Sequence, residues 1–160
     1  MTCKAYTLTP FGYLMVEETD GAITAMHLYA EEEPPMEAYQ KTMPETELLR
    51  CAVSQMLEYF NGERKSFDFP LAPKGTPFQK KVWKALQAIP YGETATYKDI
   101  AEAVGCPRGF RAVGMANNRN PIPFVIPCHR VVGSNGTLVG YAMGLSLKQK
   151  LLDMERAATK

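Results

Sequence analysis

Cysteine, histidine and arginine stand side by side in Pro127-Cys128-His129-Arg130-Val131. They follow the apolar run Ile122-Pro123-Phe124-Val125-Ile126 and precede the turn Gly133-Ser134-Asn135-Gly136. A thiol delivered by a buried segment beside two basic side chains points to an electropositive niche, which favours the reactive thiolate. On an extended segment, neighbouring side chains point to opposite faces. His129 would then reach the Cys128 sulfur through a bridging water, unless the chain turns sharply there. The competing reading is a small buried hydrophobe, the usual fate of a lone cysteine in apolar surroundings. A closed zinc site is disfavoured. The chain has two histidines, His27 and His129, and four cysteines, Cys3, Cys51, Cys106 and Cys128, with no Cys-x-x-Cys pair.

Around this core, Asn120-Pro121-Ile122-Pro123, Ile126-Pro127-Cys128-His129-Arg130-Val131 and Gly140-Tyr141 resemble the active-site signature of the O6-alkylguanine-DNA alkyltransferases, the methylated-DNA–protein-cysteine methyltransferases, in stand-alone form. Arg111-Ala112-Val113-Gly114 extends the match upstream, so that it covers roughly residues 76–156. The first 75 residues are similar to the family in size and general character only. The resemblance implies DNA repair by irreversible transfer of an alkyl group from O6-alkylguanine, with O4-alkylthymine as a further candidate, to an internal cysteine. The product would be a thioether that water does not cleave, so each molecule acts once, with no cofactor and no metal.

The resemblance also implies roles for individual residues. Cys128 is the nucleophile, His129 takes its proton through water, and Glu155 holds the imidazole, a triad-like arrangement. Tyr97 donates to guanine N3 so that the purine does not leave as a bare anion. Arg111 fills the gap left when the target nucleotide leaves the stack; otherwise it is a phosphate contact on a recognition helix. Ala112 and Gly114 belong to the same DNA-facing helix. Pro123, Val131, Tyr141, Ala142 and Met143 line the substrate pocket, with backbone near Cys128, Val131 and Tyr141-Ala142 meeting the base edge. Asn120 and Arg130 are structural. Where the family shows a small residue and two glycines after Gly140-Tyr141, this chain has Ala142-Met143-Gly144. The added bulk favours methyl and short alkyl groups over benzyl.

Charge is unevenly distributed. Residues 1–74 hold 6 Lys/Arg against 12 Asp/Glu, a net of −6. Residues 75–160 hold 12 against 5, a net of +7. An acidic half followed by a basic half points to two domains, the second facing a polyanion. With 46% hydrophobic residues the chain can build a core, and no stretch is long and apolar enough to span a membrane. Scattered cysteines and no export signal point to free thiols in a reducing cytoplasm. A monomer with double-stranded DNA containing O6-alkylguanine as its partner is expected. The alternatives are a sensor that flips alkylated bases without transfer, and a Cys-His-Glu hydrolase. A fused transcriptional activator is disfavoured because no cysteine-rich metal module precedes the domain.

Several elements must position these groups. The sequence predicts an α/β domain over residues 1–70, ribonuclease-H-like by resemblance. A linker at 71–75 leads to a mainly α DNA-binding alkyltransferase domain over 76–160, with a winged-helix-like helix-turn-helix. Strands at Lys4–Leu8, Gly12–Val16 and Ala22–Tyr29 surround the hairpin signal Asp20-Gly21. Apolar spacing predicts a helix over about 45–60, and Ser66–Phe69 reads as a short strand. Thr76 and Thr96 open helices with capping boxes, and a second short helix runs from about Gly109 to Asn117. Val131-Val132 and Leu138-Val139 read as a hairpin. Ser146 should cap the last helix, with Gln149 as its capping-box partner.

Overall fold

A computed structural model describes residues 1–40 and 44–159. The chain divides into two compact units, Met1–Pro73 and a second that begins at Lys74.

In the first unit three antiparallel strands, β1 (Thr2–Thr9), β2 (Gly12–Thr19) and β3 (Ala22–Tyr29), form a meander in the order β1-β2-β3. The β2–β3 turn places both Asp20 (φ 50°) and Gly21 (φ 86°) in the left-handed region. That geometry matches the right-handed twist of the strands it joins. Helix α1 (Glu47–Phe60) is capped by Thr46 and buries Leu49, Ala52, Met56, Tyr59 and Phe60. The inward residues Leu14, Val16, Ile23, Met26 and Leu28 complete this core.

The expected strand at Ser66–Phe69 is not formed. The Gln55 side chain holds Asp68, accepting from its backbone N–H at 3.2 Å and donating to its carboxylate. Only Leu71 then pairs with Ile23, through Ile23 N–H to Pro70 O and Ala72 N–H to Ile23 O. Pro70 and Pro73 have no N–H to extend the ladder.

The second unit opens with α2 (Pro77–Gln87), closed by the Thr76–Gln79 capping box. Its Trp83 is buried and donates its indole N–H to Ala116 O at 2.8 Å. A second capping box, Thr96–Asp99, starts α3 (Tyr97–Ala103), and α4 (Phe110–Asn118) follows the Gly105-Cys106-Pro107 turn. The last helix, α5, spans Leu145–Ala158.

Two expectations are corrected in this unit. Val131–Val132 (β5) pairs in parallel with Ala95–Thr96 (β4), not in a hairpin with Leu138-Val139. The hairpin signal was local, whereas the pairing joins segments 36 residues apart. Helix α5 is entered through Gly144 at φ 96°, with no side-chain cap. Ser146 lies inside its first turn, where it cannot serve as N-cap.

Candidate active site

The β4–β5 pairing matters because of what adjoins it. Ala95 and Thr96 stand opposite Val131 and Val132. Tyr97 therefore begins α3 just beyond one strand, while Cys128, His129 and Arg130 form a 3-10 turn just before the other. The preceding segment is folded back on itself. Ile126 N–H donates to Ile122 O, and Phe124 sits at φ 74° between them. Asn120 braces this loop, donating to Ile126 O at 2.7 Å and accepting from Ile122 N–H at 3.0 Å. Asn117, fully buried on α4, donates to Cys128 O at 3.4 Å. The chain thus turns sharply at the cysteine, so His129 is not forced onto the opposite face of an extended strand.

Behind Cys128 lies a closed ionic cluster. Glu155, from the third turn of α5, accepts from Arg130 Nε at 2.8 Å and Nη2 at 3.1 Å. His129 Nε2 meets Oε2, the oxygen Arg130 Nη2 also reaches, at 2.7 Å, and Gly92 N–H donates to Oε1 at 3.3 Å. Arg130 Nη1 donates to Ile89 O at 2.8 Å. All three charged or polar side chains are buried. Burial alone would raise the Glu155 carboxyl, but the bonds from His129 and Arg130 outweigh it and hold it at about 2. Burial drives the His129 imidazole below its ordinary value, against the pull of Glu155. With the carboxylate ionised, Nε2 must carry the proton of the neutral ring. That assigns the basic lone pair to Nδ1.

The expectation of a thiolate-favouring niche is corrected. Burial pushes the Cys128 thiol up to about 11, and the Asn120 side chain, the Lys148 ammonium, the backbone N–H and the Tyr141 phenol offset it only in part. Arg130, which the sequence placed beside the thiol as a positive neighbour, is committed to Glu155. Burial costs the anion more than the surrounding donors return.

On the outer side, the Tyr97 hydroxyl shares its proton between Val139 O and Gly140 O, each at 3.2 Å. Its phenol is pushed up by burial and by Cys128, which places it in the electrostatic reach of the sulfur. Beyond it opens a cavity of about 690 Å³, lined by Tyr97, Lys98, Phe110, Arg111, Gly114, Asn118, Ser134, Val139 and Gly140. That volume falls within the usual range of small-ligand sites. Arg111 and Ala112 are exposed on the first turn of α4, and a Cβ on Gly114 would meet the Tyr97 ring at 4.0 Å. Among the expected pocket residues, Pro123 and Val131 are buried, Tyr141 and Met143 are half-buried and Ala142 is exposed; none of the five lines this cavity. No group of three or more potential metal ligands occurs among the described residues.

Sequence reasoning assigned no part in the site to Phe110, Asn117 or Lys148. Lys148 had a visible signal, since it interrupts the apolar face formed by Leu147, Leu151 and Leu152. Phe110 is half exposed at the cavity mouth beside Arg111.

Comparison with known proteins covers both units. A family model described as "6-O-methylguanine DNA methyltransferase, DNA binding domain" matches residues 77–157. The companion "ribonuclease-like domain" model matches residues 3–73. The chain is 50% identical over 155 residues to the constitutive methylated-DNA–protein-cysteine methyltransferase of Bacillus subtilis, covering 95% of this chain and 94% of that one. It is 62% identical over 106 residues to the enzyme of that name from Methanosarcina barkeri, covering 66% and 67%. The crystal structure of the Mycobacterium tuberculosis O6-methylguanine methyltransferase superposes with a TM-score of 0.85 at 39% identity, over 99% of this chain and 94% of that one. A structure of the M. tuberculosis protein in complex with DNA superposes with a TM-score of 0.84 at 39% identity, over 96% and 92%.

Proposed function

The chain belongs to the O6-methylguanine DNA methyltransferase family, and on that premise we propose that it repairs O6-alkylguanine in double-stranded DNA by moving the alkyl group onto Cys128. O4-alkylthymine is a second candidate substrate. The observation that carries the reading is the arrangement around Cys128. A nearly buried thiol follows a braced loop, beside a neutral histidine whose far nitrogen is anchored by an ionised, Arg-clamped glutamate.

The reaction is a displacement at a saturated carbon. The Cys128 proton passes to His129 Nδ1, through a water, and Glu155 offsets the charge that the ring acquires. The sulfur lone pair forms a bond to the alkyl carbon as the carbon–O6 bond breaks. The released electron pair stays on the purine, which takes a proton at N3 from the Tyr97 hydroxyl, and the phenolate left behind regains a proton as the imidazolium gives up its own through solvent. That hydroxyl now serves Val139 O and Gly140 O, so donation to a base requires it to exchange those acceptors. With the thiol at about 11, a free molecule near pH 7 holds of the order of one thiolate in ten thousand. Ionisation is therefore a step of the complex and not a property of the resting protein.

Arg111, with Ala112 and Gly114 on the same helix, is assigned to the duplex at the vacated base position, beside the cavity that would admit the extruded nucleotide. Pro123, Val131, Tyr141, Ala142 and Met143 are assigned to the wall around the alkyl group. We assign the first unit a ribonuclease-H-like fold and the α3–α4 pair a winged-helix-like one, and we take the working form to be a monomer. The family-model descriptions, a ribonuclease-like domain and a DNA binding domain, and the basic second half support the two fold assignments.

The test is to count guanines restored per protein molecule on a duplex carrying O6-methylguanine. One per molecule supports transfer. Repeated turnover would make the protein a hydrolase, and binding without restoration would make it a sensor.

A further inference from the structure

One face of α4 forms a wall of the cavity beyond Tyr97, with Phe110, Gly114 and Asn118 on successive turns. Phe110 is the first residue of the helix and is 47% exposed. Val139, from the segment after β5, is 42% exposed. Among the described residues these are the two exposed large apolar side chains that line this cavity; Met115, exposed on the same helix, does not. Side chains on a helix lean toward its N-terminus, so the Phe110 ring leans out past the first turn. Gly114 leaves the wall behind it bare. The nearest group outside α4 that a Cβ on Gly114 would meet is the Tyr97 ring, at 4.0 Å. A flat group can therefore lie close against the helix.

Core packing does not account for the Phe110 ring. Helix α4 reaches the core through Val113, Ala116 and Asn117. An aromatic left in water at the helix end gains little from folding, because apolar stabilisation scales with the area buried. Its surroundings point instead to a ligand that is flat and apolar in one part and anionic in another. Arg111 follows it directly, Lys98 lines the same cavity, and both cations are exposed. A nucleotide has that composition. Aromatic faces hold bases by stacking, and cations beside them hold phosphates. Cys128 is not among the residues that line the cavity. A base resting there has left the duplex and has not yet reached the sulfur.

We propose that Phe110 is a substrate-contacting residue: its ring is the surface on which the base of the extruded nucleotide stacks at the cavity mouth, before the base passes Tyr97 to Cys128. The contact makes and breaks no covalent bond. It offsets part of what the base loses on leaving its neighbours in the duplex. The ring has no donor or acceptor, so it does not distinguish O6-alkylguanine from other bases and holds whichever base is presented. Selection stays at the sulfur, where only an alkylated base reacts.

This inference rests on Cys128 being the acceptor of an extruded base, and the experiment separates the two. Single-turnover methyl transfer is measured over a range of protein concentrations on two O6-methylguanine substrates, a duplex and a single strand. The proteins are wild type, Phe110→Ala, Phe110→Leu, Phe110→Tyr and Met115→Ala. Phe110→Ala and Phe110→Leu lose about tenfold in apparent second-order rate on both substrates, since neither offers a flat face. Phe110→Tyr keeps the ring and restores transfer, and Met115→Ala matches wild type. In every variant Cys128 reacts with a small neutral alkylating agent at the wild-type rate, because that reaction needs no base. A loss confined to the duplex overturns the proposal and makes the ring a wedge between base pairs. Full activity in Phe110→Ala or Phe110→Leu overturns it as well. So does slowed alkylation of Cys128 in those variants, which would make the ring a prop for the site. A wild-type protein that takes up no methyl from either substrate overturns the reading of Cys128 instead.

Discussion

Burial governs both ionisable ends of the site, with opposite results. It holds the Cys128 thiol at about 11, because the donors around the sulfur are few. It fails to raise Glu155, because Arg130 and His129 supply three charge-assisted bonds. Three predictions belong to this scale. Reactivity of Cys128 in the free protein toward a small neutral alkylating agent, read by peptide mass, should climb about tenfold per pH unit to near pH 11. A plateau by pH 8 would mean the thiol is already ionised. For Glu155 the folded value lies below the ordinary 4.5, so the cluster's stability is present above that pH and is lost as pH falls toward about 2. His129 acts in the same direction, since its depressed value makes the unfolded state the better proton acceptor just below its usual titration. Acid titration of unfolding should show this loss, on the order of 3 kcal/mol. Glu155→Gln should be less stable at pH 7 and lose most of the slope. A third prediction concerns Met143, whose bulk replaces the glycine that the resemblance implies after Gly140-Tyr141-Ala142. Met143→Gly should raise the benzyl-to-methyl rate ratio several-fold, and an unchanged ratio would remove Met143 from the alkyl-facing wall.

At the scale of elements, the site depends on a two-residue parallel pairing and on how helices begin. β4 ends at Thr96, whose side chain caps α3 through Asp99 N–H at 3.0 Å. Thr96→Ala should cost about 1 kcal/mol by melting. It should also slow transfer more than that loss of stability explains, because Tyr97 is the first residue of the helix released. Both capping boxes, the Asp20-Gly21 hairpin and the amphipathic α1 were legible in the sequence, because each depends on residues within a few positions. The β4–β5 pairing was not, since nothing local to Val131-Val132 identifies Ala95-Thr96 as its partner. The start of α5 was misread for a related reason. Ser146 and Gln149 have the right spacing for a capping box, but Gly144 takes the left-handed entry and begins the helix earlier. At the site itself, the Pro127–Val131 motif marked the cysteine. Its high pKa depends on enclosure by α4, α5 and the Tyr141 segment, which no linear pattern encodes. Lys148 could have been noticed as a charge on an apolar face, but its neighbours could not be read from the sequence.

For the molecule as a whole, the dominant feature is the division of charge between an acidic first half and a basic second half. Binding to duplex should weaken linearly in log–log form as salt rises, with a slope set by the phosphates neutralised. Arg111→Ala should reduce transfer on duplex far more than transfer from the free modified base, which has no stack to refill. Equal losses on both substrates would place Arg111 in the chemistry and not at the duplex. The most direct measurement of the central claim is the mass of the spent protein. After incubation with duplex bearing O6-methylguanine, the chain should gain one methylene and no more, mapped to the peptide that carries Cys128, with none in Cys128→Ala. A methyl group found on Cys3, Cys51 or Cys106, or guanine restored with no gain in mass, would contradict it.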